Sequence, residues 1–369
     1  MINTYRSTLG EEEIQACMDA LRSGWLISGK QVAAFEEEFA AYVGAKYAVA
    51  TSACTTALQS VFLTLKENST IITSPITFTA TVNAIINSGH KVLFADVDEW
   101  GNMKQRSYSK VASKSEKNED VFWNPYYVCP IHFAGRKCKM DVNGLVIHDS
   151  AHAVFKGLIG HASCYSFHAT KCMTTCQGGM IATNDTDLAR RARYLRIHGM
   201  ASDAFAREKS GPMYDVPEVG IKGNLIDPLA AIGRVQLRRY DEMWKKRMEL
   251  ASTYETELNI EGIEKPPFTP IPQEHSWHLY LVKLRPDLAD YRSAIIKRCQ
   301  KKGVQLAIHG RPVYQFSAFK KLLGNLDGSC PNAEDFGRRV MTLPLYPSMT
   351  EAEQSTVIEV LGEVMGEFA

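Results

Sequence analysis

The sequence lacks most of the features that would send a chain out of the cell or into a membrane. No basic stretch followed by an apolar core opens it, and no apolar run is long enough to span a bilayer. A cytoplasmic protein with no membrane partner is the expectation. An excess of charge of one sign is missing too: 42 Lys and Arg stand against 41 Asp and Glu, a formal net charge of +1. That balance argues against a surface built for nucleic acid. No two of the nine cysteines have C-x-x-C spacing, and the closest pair, Cys172 and Cys176, is separated by three residues. Without a secretion signal, a disulfide framework is not expected in a chain of 369 residues. Reduced, mostly buried thiols are the expectation, a metal or iron–sulfur site is the alternative, and no metal ligand is assigned. Internal repeats and low-complexity segments are absent as well.

What is present is an alternation of short apolar runs with helical patterns. Tyr47–Ala50 reads as a strand, and the helix after it places Ala57, Leu58, Val61, Phe62 and Leu65 on one face. Ile71–Thr73 follows, then a helix through Ala80, Ala84 and Ile85, then the strand Val92–Asp96. Tyr126–Pro130, Leu145–Ile147, Ser163–Phe167 and Met180–Thr183 are further strand candidates, while polar Ser107–Asn124 reads as a surface excursion. Strand–helix–strand repeats predict an α/β fold with a mostly parallel sheet. A long helix is expected from Asp227-Pro228, with Asp227 as N-cap and Pro228 at the first helical position. It leads toward a smaller C-terminal unit of mixed strands and helices, which includes a strand at His278–Val282. The expected division is a large domain, 1–235, and a small α+β domain, 236–369.

In a parallel α/β sheet, ligands sit beyond the carboxyl ends of the strands. Three polar clusters fall there. Thr51-Ser-Ala-Cys-Thr-Thr56 opens a helix with small and hydroxyl residues, which suits a phosphate and equally an ordinary N-cap. The Gly-x-x-x-x-Gly-Lys spacing of a P-loop is absent. Asp149 lies within His148-Asp-Ser-Ala-His152. A carboxylate there can keep a pyridine nitrogen protonated, and His152 can stack on or bond the same ring; taken alone, the motif is more often a simple turn. Lys171 closes Ser166-Phe-His-Ala-Thr-Lys171 and precedes the pair Gly178-Gly179. A lysine is the natural Schiff-base former once burial frees its amine, although a lone lysine is usually a solvated surface group. The case rests on all three clusters occurring in this order.

These motifs resemble the DegT/DnrJ/StrS family of pyridoxal-phosphate-dependent sugar aminotransferases over nearly the whole chain. Ser23-Gly-Trp-Leu-Ile-Ser-Gly29 with Phe35-Glu36 is similar to the family's opening. Tyr47–Leu58 is similar to its phosphate-binding turn, and Gly220–Ala231, Trp277–Tyr280 and Leu343–Pro347 to later landmarks. The resemblance implies the aspartate-aminotransferase-like fold of type I. It makes Lys171 the catalytic Schiff-base residue. Thr55, Thr56, Phe78, Asp149, His152, Ser166 and Asn224 become cofactor-binding residues, with Phe78 stacked on the ring and Ser166 and Asn224 on the phosphate. Trp25, Lys222, His309 and Arg311 are candidates for the substrate side. The implied cofactor is pyridoxal 5′-phosphate. The implied partners are an amino donor, glutamate or glutamine, a nucleotide-linked keto-sugar, and a second copy of the chain in a homodimer, with Asn224 reaching the neighbour's site.

Departures from the family pattern lie at Cys54-Thr55, where Gly-Thr is usual, at Gln177, where an acidic residue is usual, and near His309-Gly-Arg311. They leave open a keto or aldehyde acceptor that is not a sugar. A sugar dehydrase, in which the Schiff-base lysine is replaced, conflicts with Lys171. A catalytically silent regulator conflicts with the Lys171 and Asp149 pair and with the neutral charge.

Overall fold

The computed structural model describes residues 1–116, 127–142, 144–202, 205, 211 and 213–368. Two helices open the chain, α1 (Glu11–Arg22) and α2 (Lys30–Val43). Alternating strands and helices follow: β1 (Tyr47–Thr51), α3 (Cys54–Phe62), β2 (Thr70–Thr73), α4 (Thr79–Asn87), β3 (Lys91–Phe94) and α5 (Gln105–Glu116). Next come β4 (Tyr127–Cys129), β5 (Leu145–Ser150), β6 (Ala162–Ser166), β7 (Gly179–Thr183) and α6 (Thr186–Leu195). The C-terminal part holds α7 (Asp227–Arg238), α8 (Tyr240–Glu257), β8 (Ile263–Glu264), β9 (Tyr280–Leu284) and α9 (Arg292–Lys301). It continues with α10 (Ser317–Leu323), α11 (Pro331–Arg339), β10 (Val340–Leu343) and α12 (Glu351–Gly366).

Seven strands form one sheet in the order β1-β7-β6-β5-β4-β2-β3. The pairs β2–β3, β2–β4, β4–β5 and β5–β6 are parallel, which the helices and long crossovers between them permit. β7 runs antiparallel to both β6 and β1, because residues 167–178 turn the chain straight back beside β6. A smaller antiparallel sheet has the order β10-β9-β8. Two apolar cores stand out. One is built on Val61, Phe62, Ile71, Ile147 and Ile181 and also takes in Leu281 of β9 and Val340 of β10, the other on Tyr254, Tyr280, Val282, Val357 and Leu361.

The α/β reading and the mostly parallel sheet agree with this architecture. Three expectations are corrected. Polar Ser107–Asn124 is helical up to Glu116, with Tyr108 and Ala112 buried one turn apart; residues 117–124, and Tyr126 of the expected strand, lie outside the described residues. The helix at Asp227 ends at Arg238, and a separate helix starts at Tyr240. Finally, Ile226 is the N-cap of α7. Asp227 caps a different helix: its carboxylate accepts the N–H groups of Gly29 (2.7 Å), Val32 (3.0 Å) and Gln31 (3.1 Å) at the start of α2. Gly29 has no side chain to do this, so an acid 198 residues away supplies the acceptor.

Candidate active site

The sheet brings the three polar clusters to one end. Asp149 is the penultimate residue of β5, buried at 4% exposure, while His148, one residue earlier, points to the other face and stacks on His132. Thr81 of α4 donates its hydroxyl to Asp149 Oδ2 at 2.7 Å, and the Ala151 N–H donates to Oδ1 at 3.0 Å. Thr77 in turn bonds Thr81 at 2.7 Å. Burial nevertheless pushes the Asp149 carboxyl above its ordinary value, against the lowering effect of Thr81, Ala151 and Lys171.

Lys171 sits in the turn after β6, its N–H donating to His168 O at 2.9 Å. Burial holds its ammonium below the usual lysine range, with Cys54, Asp149 and Cys172 the nearby groups that pull the other way. No carboxylate forms an ion pair with it among the described residues. The site therefore contains an amine that loses its proton more readily than an ordinary lysine, and a buried carboxylate without a bonded cation. A protonated pyridine nitrogen would satisfy Asp149.

The phosphate end fits equally well. α3 begins at Cys54 after Ala53, which has no side-chain acceptor, so its first N–H groups receive no cap. Thr55 and Thr56 lie half-buried in its first turn, and Ser52 Oγ is 3.2 Å from Thr56 Oγ1. Gly179 lets β7 close on this turn: a Cβ there would lie 2.4 Å from Ala53 C and 2.6 Å from Cys54 N. Ser166, at the end of β6, accepts only a long bond of 3.4 Å from the His168 N–H. This cradle and the Lys171–Asp149 pair suit an aldehyde-bearing pyridine phosphate.

His152 is held by the Ala134 N–H, which donates to Nδ1 at 3.2 Å, and its ring lies 4.5 Å from that of His278. Burial lowers the pKa of His152 well below the usual histidine value, and Lys171 and His309 add to this. His309 bonds Thr342 Oγ1 at 2.8 Å, and burial, then Lys171, takes its pKa down to about 4. Lys171 thus stands among neutral imidazoles.

The other candidates are more dispersed. Phe78 is the N-cap of α4 and 75% exposed, a large apolar ring at the rim. Asn224 pairs with Thr51 in an isolated bridge of its own chain; its amide donates to Ser28 Oγ at 2.8 Å and its carbonyl takes the Lys222 ammonium. Trp25 donates to Ser28 O at 3.1 Å and meets Phe205 edge-on. Arg311 turns back on Gln315 O (2.9 Å) and lies over the Phe316 ring. Sequence reasoning missed Thr81, whose only signal is its place one turn after Thr77, and it took His278 for a landmark alone.

Comparison with known proteins gives the family. The sequence profile described as "DegT/DnrJ/EryC1/StrS aminotransferase family" matches residues 7–362. The chain is 37% identical over 382 residues to the spore coat polysaccharide biosynthesis protein SpsC of Bacillus subtilis, covering 97% of this chain and 95% of that protein. Among solved structures it is similar to Helicobacter pylori PseC, an aminotransferase involved in the biosynthesis of pseudoaminic acid (TM-score 0.88, 25% identity, all of both chains). It is also similar to the aminotransferase TlmJ of Streptoalloteichus hindustanus (TM-score 0.86, 29% identity, all of both chains). The chain belongs to the DegT/DnrJ/EryC1/StrS aminotransferase family and is a pyridoxal-phosphate-dependent aminotransferase.

Proposed function

We propose that the chain moves an amino group from an amino acid, glutamate before glutamine, to the keto group of a nucleotide-linked sugar, and works in the cytoplasm as a homodimer without nucleic-acid or membrane partners. The observation that carries the reading is Lys171, its ammonium destabilised by burial, beside the buried Asp149 at the uncapped start of α3. The sugar follows from relatives such as SpsC and PseC, whose names tie them to polysaccharide and pseudoaminic acid biosynthesis.

The bound cofactor supplies an electron sink for negative charge at the donor's α-carbon. Lys171 would hold the cofactor at rest through its amine and, when free, would be the base that moves a proton at the donor's α-carbon. Its lowered pKa leaves a larger share as free base than an ordinary lysine has. Asp149 would hold a protonated ring nitrogen, and Thr81 and the Ala151 N–H favour its ionised form against the effect of burial. The first turn of α3, Thr55 and Ser166 bind the phosphate, and His152 and Phe78 border the ring. His309, Trp25, Lys222 and Arg311 are assigned to the substrate side.

The homodimer is supported by an apolar surface beside the site: Leu26, Ile27, Met213, Val219 and Ile226 are 37–92% exposed. A neighbour's Asn224 reaching the phosphate fits a segment that already lies against Thr51. The separate small sheet and the core built on Tyr254, Tyr280, Val282, Val357 and Leu361 support two units, 1–235 and 236–369.

The test is the absorption spectrum of the purified protein, before and after glutamate without an acceptor. A visible band that is absent in Lys171→Ala and that glutamate shifts to the amine form supports the reading, and a nucleotide-linked keto-sugar then restores the original band. No cofactor band after reconstitution overturns it.

A further inference from the structure

His278 is the least expected neighbour of the site. It precedes β9 of the small sheet, is 6% exposed, and its buried Nδ1 has no hydrogen-bond partner. Its ring neighbour among the described residues is His152, at 4.5 Å with the planes 48° apart. The backbone is built to bring it there. Trp277, fully buried, adopts φ 47°, a left-handed conformation that a bulky residue rarely takes. Bonds from the Ser276 N–H to Gly135 O (2.7 Å) and from the Leu279 N–H to Ala134 O (3.1 Å) fasten the segment to the large sheet's loop. Buried Arg247 binds the Trp277 and His278 carbonyls, each at 3.4 Å, and Leu345 O at 2.9 Å. Gly135, at φ 95°, permits the approach: a Cβ there would lie 2.9 Å from His278 N and 3.1 Å from His152 O.

His152 is therefore held from two sides. The Ala134 N–H donates to Nδ1, which leaves the proton of the neutral ring on Nε2. The second restraint is ring packing, in which His278 is the nearer ring, at 4.5 Å with the planes 48° apart, and Phe133 the farther, at 5.8 Å and 44°. A ring fixed by one hydrogen bond can still rotate about it, whereas a packed ring on its flank sets the plane.

We propose that His278 is a positioning residue, whose buried ring sets the plane of His152 and so the surface that His152 offers the cofactor. The small sheet thereby governs cofactor geometry through a residue that need not touch the cofactor. The proposal rests on the reading of His152 as a cofactor neighbour.

The experiment is a double-mutant cycle of His152→Ala, His278→Ala and the pair, with His278→Phe as the conservative variant. Each apoenzyme is titrated with pyridoxal 5′-phosphate and followed by visible absorbance and by circular dichroism of the same band, with a thermal melt as the folding control. His278→Ala is expected to weaken binding roughly tenfold and to reduce the circular dichroism per bound cofactor. His278→Phe, which keeps a ring, should stay close to the parent. In the His152→Ala background the change at His278 should cost little further. An equal cost in both backgrounds, or a Phe variant as weak as the Ala variant, overturns the proposal. Should His278→Ala not fold, His278→Gln replaces it with the same expectations. If His152→Ala leaves affinity and dichroism unchanged, the proposal falls, while loss of the visible band in Lys171→Ala still supports the aminotransferase reading.

Discussion

Replacing Thr81 by valine removes one hydroxyl and nearly conserves side-chain volume, which makes it a sharp probe of Asp149. The carboxylate is 4% exposed and has two hydrogen bonds, 2.7 Å from the Thr81 hydroxyl and 3.0 Å from the Ala151 N–H. A hydrogen bond to a charged group in such a place contributes about 1.5–3 kcal/mol. That corresponds to roughly 10- to 150-fold in an equilibrium. Burial already raises this carboxyl, so losing the strongest of the lowering contacts raises it further. The sign follows: at acidic pH less Asp149 is ionised in Thr81→Val than in the parent, and less is ready to hold a protonated ring nitrogen. Cofactor affinity, measured by absorbance titration of apoenzyme across pH, should show its acid limb at higher pH in the variant. Below the limb the variant should bind up to the same factor more weakly, and above it the two curves should meet. Thr81→Ser keeps the hydroxyl and should follow the parent. Coincident limbs for the parent and a folded Thr81→Val would refute the role given to this bond.

Asp149 itself has a consequence for the cofactor-free protein. Its raised pKa means that, just above the ordinary 3.8, the folded chain keeps a proton that the unfolded chain has released. Stability should therefore fall as pH rises through that window and level off above the folded pKa, and melts of Asp149→Asn should lack this contribution. Glu36 accepts the Ala50 N–H at 2.9 Å and pairs with buried Arg196, which also donates to Ala50 O at 2.6 Å. Glu36→Ala strands that guanidinium and should cost about 3–5 kcal/mol by denaturant unfolding; a cost below about 1 kcal/mol contradicts the assignment. Gly179→Ala places a methyl against the backbone of the Ala53–Cys54 turn. It should weaken binding of pyridoxal 5′-phosphate more than that of pyridoxal, which lacks the phosphate, and equal losses would argue against a phosphate cradle there.

Much of the fold and the heart of the site are legible in the chain because their signals are local. The period of apolar residues along Ala57–Leu65 needs no neighbour to mark a helix, and the alternation of strands and helices points to a mostly parallel sheet. Strand ends gather ligands, so the clusters holding Asp149 and Lys171 could be singled out together by their order, and the family resemblance added Thr55. What the chain left undecided concerns partners distant in sequence. Asp227 looks like the cap of its own helix, yet only packing brings it to the bare N–H groups at Gly29. Thr81 is an ordinary helical threonine until β5 sets a carboxylate 2.7 Å from it. β7 reads as one more strand, and its reversed direction appears only in the pairing with β1 and β6.

By itself, the sequence determined the class of fold and the chemistry available, since propensity, periodicity and the ionisable groups belong to the residues. Tertiary structure decided how those groups behave. Burial lowers the proton affinity of Lys171 and raises that of Asp149, and neither shift exists until water is excluded. It also decided that His278, 126 positions from His152 in the numbering, should share a wall with it, because the strap at Gly135 joins the two sheets where the cofactor would lie.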